Sequence, residues 1–477
     1  MKLRIALSLL LTIACRPSSP PPTTTPTPTT TVEPTTPADP DTLYFAGAVA
    51  VPGMELAFAV ELVRSKDGWT GKIQIPAQGA RDLPLSSVVV DAKTIAFAIE
   101  QVGAKWSATR DAAGEPDECT FTQGPAKLEC GLSRIDATRY AAMATPARPQ
   151  TPKPPFDYDS TDVTYENAAA KVKLAGTLTV PKGEGPFPAV LMVTGSGAQD
   201  RDETIFGHRP FFVIADHFAR HGIATLRVDD RGVGGSTGDP GKSTTEDFVG
   251  DALAGIAFLA TQPKIDKARV GIIGHSEGGL IAPSAATRSK DVRFVVMLAG
   301  PGVPGSELLP KQIERVMKAA GAPDAEVQQS VAKQREVMKI LVGEKDDAKA
   351  REQLLALFAD EAKADPKEAE VQLAAVLSPW FRKFVALDPA PVLAKVKVPV
   401  LALVGELDVQ VDAEQNATAI TKALKKGKNK KADVRRMPGL NHLFQHAKTG
   451  GVEEYGTIEE TIAPEVLDAM STWISAR

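Results

Sequence analysis

Five short apolar runs, Ala189–Val193, Ala224–Val228, Val270–Ile273, Phe294–Leu298 and Val400–Val404, constrain the fold of this chain more than any other feature. Each is short for a helix and, apart from Thr225 and Arg227 in the second, apolar, the pattern of strands buried on both sides in a parallel sheet. Helical periods lie between them. Phe211, Ile214, Ala215 and Phe218 share one face, with Pro210 at the start and Gly222 just past the end. Ile462, Val466, Met470, Trp473 and Ile474 repeat the pattern near the C-terminus. This alternation predicts an α/β architecture, a sheet with helices on both faces. The stretch 306–390, rich in Ala, Glu, Lys and Leu, interrupts it. There Gln312–Lys318, Glu326–Leu341 and Ala348–Ala362 read as inserted helices, either a lid over a site or a peripheral layer.

A chain of 477 residues is too long for one ordinary core, and the region 42–145 follows a different period. Leu56, Phe58, Val60 and Leu62 alternate with smaller or polar neighbours, and strand-like runs recur at Gly71–Pro76, Ser87–Val90, Thr94–Ile99 and Lys105–Thr109. Short strands broken by Gly, Pro and Asp predict a small all-β domain. A Pro-rich linker, 146–156, separates it from the α/β domain at 157–477. Cys119 and Cys130 fall in two strand-like runs divided by Gly124-Pro125, so a disulfide-stapled hairpin is expected. The β region shows no titratable or metal-binding cluster, which points to packing or substrate shaping rather than chemistry of its own.

Lys2 and Arg4 precede the apolar stretch Leu7–Leu11 with Ile13. That is far short of the ~20 residues that span a bilayer, so residues 1–14 read as an export signal. The signal ends in Leu11-Thr12-Ile13-Ala14-Cys15, which resembles the lipobox of bacterial lipoproteins, with Thr12 where leucine is usual. Lipidation of Cys15 would hold the chain on a membrane without a crossing helix; plain secretion is the alternative. Residues 15–41, almost all Pro, Thr and Ser, bury no core and read as a tether reaching roughly 80 Å when extended. The expected location is a bacterial cell envelope, on its periplasmic or extracellular face. A formal net charge of −4 gives no reason to expect nucleic acid. The basic run Lys425–Lys431 has no interleaved aromatics and reads as a solvated helix end and loop.

The chemistry concentrates in Val270-Gly271-Ile272-Ile273-Gly274-His275-Ser276-Glu277-Gly278-Gly279. A bare G-x-S-x-G is weak. Here it follows an apolar strand and precedes the helix-like Leu280–Ala286, the context of a nucleophile elbow, in which a tight strand-to-helix turn lifts a serine out of the sheet. A serine hydroxyl needs a base, and the base needs an orienting acid. Of six histidines, only His442 and His446 lie beyond the last sheet strands. His442 follows Ala432–Met437 and the turn Pro438-Gly439, so it emerges at the carboxyl end of a strand; His446 reads as a surface residue. Asp408, just past Pro399–Val404, is the candidate acid, with Asp412 its rival and Glu406 a weaker one. The amides of Glu277 and Ser196, the latter in Thr194-Gly195-Ser196-Gly197, are candidate donors to an oxyanion.

Together with these, Gly195–Asp202, Asp229-Asp230-Arg231-Gly232-Val233-Gly234, Ala299-Gly300-Pro301-Gly302 and Gly439-Leu440-Asn441-His442 resemble a bacterial family of α/β-hydrolase carboxylesterases, often with a small β domain in front. The likeness runs from about residue 42 to the C-terminus and extends more loosely to serine aminopeptidase-like hydrolases. It implies an α/β-hydrolase fold, esterase action on short acyl esters, and Ser276, Asp408 and His442 as the catalytic triad. The lysine-rich 422–431 stretch and the alanine-rich insertion depart from the family pattern. Asp229, Asp230 and Arg231 read as buttresses, and Trp380, Phe381 and Phe384 as either acyl-pocket lining or core. No His or Cys cluster shows ligand spacing and no glycine-rich phosphate loop occurs, so neither metal nor cofactor is expected. Peptidase or thioesterase action on the same triad, and a non-catalytic lipid-anchored binding protein, are the competing readings.

Overall fold

The computed structural model describes residues 41–477 apart from 52–53, 67, 77–79, 124–125 and 144–145. The export signal, Cys15 and nearly all of the tether lie outside the described residues. The described chain divides into two compact units at Ala147/Arg148.

The first unit is one antiparallel sheet of nine strands: β1 (Thr42–Val51), β2 (Met54–Ser65), β3 (Gly68–Ile75), β4 (Ala80–Pro84), β5 (Ser87–Val90), β6 (Thr94–Ile99), β7 (Ala104–Arg110), β8 (Pro116–Gln123) and β9 (Ala126–Ile135). They lie in the order β4-β3-β2-β1-β9-β8-β7-β6-β5. Alternate residues turn inward and build its core from Phe45, Phe58, Val60, Leu62, Ile73, Phe97, Trp106 and Phe121. Each such large side chain contributes about 1.5–3 kcal/mol by leaving water. Trp106 sits at the centre, 5.3 Å from the Phe97 ring and 4.8 Å from Phe121. Cys119 and Cys130 are directly opposed across β8 and β9 and form the expected disulfide.

The second unit holds an eight-stranded sheet: β10 (Tyr158–Asn167), β11 (Val172–Pro181), β12 (Phe187–Val193), β13 (Ala224–Val228), β14 (Ile265–His275), β15 (Phe294–Leu298), β16 (Val400–Gly405) and β17 (Ala432–Met437). The order is β10-β11-β13-β12-β14-β15-β16-β17. The β10–β11 hairpin pairs antiparallel with β13, and every pair from β13 to β17 is parallel. The parallel strands bury both faces by strict alternation. Leu191, Ile272, Val400 and Ala402 pack under the helices Thr245–Leu259, Gly278–Ala286 and Ala413–Lys426. Val190, Met192, Ile273, Leu401 and Leu403 pack on the opposite face, under Pro210–Arg220 and Pro464–Ser475. This is the α/β-hydrolase architecture expected above. The last helix starts at Pro464, so Ile462 precedes it although it joins the same cluster.

The insertion leaves the sheet after β15 and returns at β16, with helices from Gly305–Ala319 through Ala390–Leu393. The single helix expected over Ala348–Ala362 is two, Asp347–Leu357 and Ala359–Ala364. The break falls at Phe358, whose ring is buried in the insertion's core and lies 4.2 Å from the Lys333 ammonium. Burying that ring offsets the helical continuity given up at the break. The core of the insertion also takes in Leu280 and Val411 of the hydrolase body, so the segment packs onto the helix that begins at the elbow. Among the described residues no helix is long and apolar enough to cross a membrane.

Candidate active site

Ser276 occupies the left-handed region, φ +51°, at the junction of β14 and the helix Gly278–Ala286. A non-glycine residue there is held by its surroundings rather than by its own preference. The surroundings leave little room. A Cβ on Gly274 would stand 1.9 Å from the Gly278 carbonyl oxygen, and one on Gly278 would stand 2.4 Å from that of Val193. The Ser276 amide donates to the Leu298 carbonyl at 2.8 Å, which fixes the turn against β15. The serine thus stands directly before a helix N-terminus, where the dipole favours developing negative charge.

His442 and Asp408 come together from the ends of neighbouring strands. Both are buried, and His442 Nδ1 lies 2.8 Å from Asp408 Oδ2. The other carboxylate oxygen accepts the Gln410 and Val411 amides at 2.7 and 2.8 Å, so the acid cannot swing away. Because a carboxylate only accepts, Nδ1 carries the imidazole proton and Nε2 keeps a lone pair. Gly405 allows the two loops to meet, since a Cβ there would strike the Leu440 and Asn441 carbonyls at 2.4 and 2.6 Å. The rivals are occupied elsewhere. Asp412 caps the helix Ala413–Lys426 through the Gln415 amide at 2.9 Å, and Glu406 is exposed. His446 is exposed and pairs with Glu460 and Glu465, each at 3.0 Å. The elbow and the His442 loop touch through His275, whose Nε2 lies 3.1 Å from the His442 carbonyl oxygen.

The turn after β12 lies against the serine: a Cβ on Gly195 would sit 3.1 Å from the Ser276 Cβ. The Gly195 amide is donated to Glu203 at 2.7 Å, which leaves Ser196 as the next amide along the turn. The Glu277 side chain is buried and accepts from Thr245 Oγ1 at 2.6 Å and from Trp380 Nε1 at 2.9 Å. Burial raises its carboxyl above the ordinary range, against the hydrogen bonds from Thr245, Trp380 and Ser196. Trp380 is therefore the insertion's contact with the elbow, while Phe381 and Phe384 are buried in the insertion's own core.

The aspartates of the Asp229-Asp230-Arg231 segment hold the turn in place. Asp230 accepts Thr194 Oγ1 at 2.9 Å and the Gln199 amide at 3.0 Å, and burial pushes its carboxyl up to about 8. Asp229 clasps the Arg201 guanidinium with both oxygens, at 3.0 and 2.6 Å. Arg231 clasps Asp251. Sequence reasoning missed the roles of Glu203, His275 and Thr245, which acquire partners only through the fold. It also passed over His217 and His221: with Asp468 they form one group whose ligand atoms lie within 4.8 Å of one another.

The model of the serine aminopeptidase S33 family of hydrolases matches residues 209–446, a span that holds Ser276, Asp408 and His442. The chain is 29% identical to esterase EstD of Thermotoga maritima over 321 residues, covering 67% of this chain and 68% of that protein. It is 32% identical to esterase FrsA of Escherichia coli over 130 residues, 27% of this chain and 29% of the relative. Among solved structures, the Pyrococcus furiosus esterase Pf2001 aligns with 67% of this chain and 90% of its own, at 18% identity and a TM-score of 0.41. The sheet order and the elbow give this chain the α/β-hydrolase fold, and the family model and the EstD match make it similar to the serine aminopeptidase S33 hydrolases and to an esterase.

Proposed function

We propose that the protein hydrolyses short-chain carboxylic esters in two steps through an acyl-enzyme on Ser276. The observation that carries this reading is the buried His442–Asp408 pair, joined at 2.8 Å, beside a serine held at positive φ. His442 Nε2 takes the hydroxyl proton as Oγ attacks the ester carbonyl, and returns it to the departing alcohol. Water then repeats the sequence on the acyl-enzyme and releases the acid. The amides of Glu277 and Ser196 receive the oxyanion; one such donor is worth about 2.7–4 kcal/mol in the transition state. Short acyl groups suit a site where the insertion brings Trp380, tied to a carboxylate, while Phe381 and Phe384 stay in their own core. Peptidase action ranks second: the Glu277 carboxylate, which could anchor an amine, is already engaged by Thr245 and Trp380.

A fluorophosphonate probe is expected to label the wild-type protein and not Ser276→Ala. p-Nitrophenyl esters of graded chain length should turn over fastest at two to four carbons, and faster than aminoacyl amides. Absence of labelling, or faster turnover of amides, overturns the reading. In the same proposal Cys15 carries the lipid that holds the enzyme on the exported face of the envelope. Mass spectrometry of the mature N-terminus, finding an unmodified residue, would refute that part alone.

A further inference from the structure

We propose that Glu203 and His275 form a buried positioning pair that locks the oxyanion turn to the loop carrying His442. This inference rests on the serine-hydrolase reading above. Glu203 is buried at positive φ, +54°, an arrangement a glutamate adopts only when its surroundings hold it there. Its Oε1 accepts two hydrogen bonds, from the Gly195 amide at 2.7 Å and from His275 Nδ1 at 2.9 Å. His275 then reaches the His442 carbonyl oxygen through Nε2 at 3.1 Å. One carboxylate and one imidazole therefore connect three segments: the turn that presents the Ser196 amide, the residue preceding the nucleophile, and the backbone of the base.

The chemistry of the partners sets the charge. A neutral imidazole has one N–H and one lone pair, whereas both atoms facing His275, a carboxylate oxygen and a carbonyl oxygen, only accept. Both contacts are satisfied only by the imidazolium. Burial alone would lower the His275 pKa, but Glu203, the His442 carbonyl and Asp408 outweigh it and raise it. The titratable groups around this ring are Glu203, Asp408 and His442; its remaining neighbours include Phe211, Leu298, Leu443 and Phe444, all apolar. The His275 ring lies 4.8 Å from that of His442, so the pair stands directly behind the base.

Glu203→Gln keeps the shape and removes the charge. It is expected to lower kcat by roughly 10- to 100-fold, the scale of a sub-ångström misplacement, with KM within about twofold. Glu203→Asp, which keeps the charge, should recover part of the lost kcat. A purely structural role would lower folding stability without separating kcat from KM. His275→Asn should reproduce the loss in kcat, and the double variant should be no worse than the poorer single one. A Glu203→Gln protein with wild-type kcat overturns the proposal. Fluorophosphonate labelling separates the two failures. An unlabelled wild type refutes the serine-hydrolase reading, whereas a labelled wild type with an unaltered Glu203→Gln refutes only the pair.

A separate observation assigns a second site. We infer that His217, His221 and Asp468 bind a divalent transition-metal ion at the surface, bridging the helix Pro210–Arg220 to the C-terminal helix. The two histidines are one helical turn apart with rings stacked at 4.1 Å. His221 Nδ1 lies 2.7 Å from the His217 carbonyl, so it carries the proton and leaves the Nε2 lone pair for a ligand. His217 Nε2 lies 3.1 Å from Ser471 Oγ, a contact the metal would displace, and faces Asp468 Oδ1 at 3.6 Å. Two imidazoles and one carboxylate suit zinc or nickel, with water completing the shell. Titration of the full chain with zinc chloride in a calorimeter should show saturable binding. Zinc at about 100 times its Kd should raise Tm by about 4 °C. His221→Ala should lose both effects and keep esterase activity. No heat at millimolar zinc, or equal binding by His221→Ala, overturns the site.

Discussion

His442→Ala, or Ser276→Ala, will lower kcat for p-nitrophenyl acetate by roughly five to six orders of magnitude, and His446→Ala will change it less than about twofold. The two histidines are four residues apart, yet the fold gives them opposite settings. His442 is buried with Asp408 behind it, whereas His446 is exposed between two surface glutamates. Asp408→Asn should cost roughly four orders of magnitude, because an amide nitrogen facing Nδ1 favours the tautomer that leaves no lone pair at Nε2. Purified variants with matched circular dichroism, assayed at saturating ester, provide the check. Equal losses at His442 and His446 would show that the base is wrongly assigned.

Gly274→Ala will destabilise the hydrolase unit by more than about 4 kcal/mol, enough to prevent accumulation of soluble protein. The added methyl would stand 1.9 Å from the Gly278 carbonyl oxygen and 2.8 Å from the Gly279 nitrogen, all backbone that cannot rotate aside. Gly439→Ala is the control. That glycine also has positive φ, +72°, but nothing lies within 4 Å of its would-be Cβ, so only the left-handed penalty of about 1–2 kcal/mol applies. Urea denaturation of both variants distinguishes crowding from conformational strain. A Gly274→Ala protein that unfolds with the wild type would show that the elbow relaxes freely.

The parts of this fold that were legible in the sequence are those governed by local pattern. Phe294–Leu298 and Val400–Val404 announce themselves as strands because they are apolar throughout and bury both faces. The elbow is legible because glycine is required on each side of the serine. The β10–β11 hairpin is not, since β10 carries mostly exposed polar residues and reads as loop. The break at Phe358 is invisible because helical propensity favours continuation and only the distant core draws the ring inward. Glu203 lies in an acidic run, Asp200-Arg201-Asp202-Glu203, in which nothing local marks one carboxylate from the next. Its partners come from Gly195 and from His275, and their convergence is a property of the sheet order.

The insertion departs after Leu298 and returns at Val400, and these two strands are hydrogen-bonded neighbours. The pair is parallel, with Val400 opposite Val295 and Leu403 opposite Leu298, so the sheet fixes the two ends at opposite edges, about 10 Å apart along the strands and about 4.8 Å across them. Segments of quite different length and sequence can be exchanged between those anchors without shifting a single strand register. Substrate preference can thus diverge through this one segment while the reacting groups, mounted on the frame around it, stay where they are.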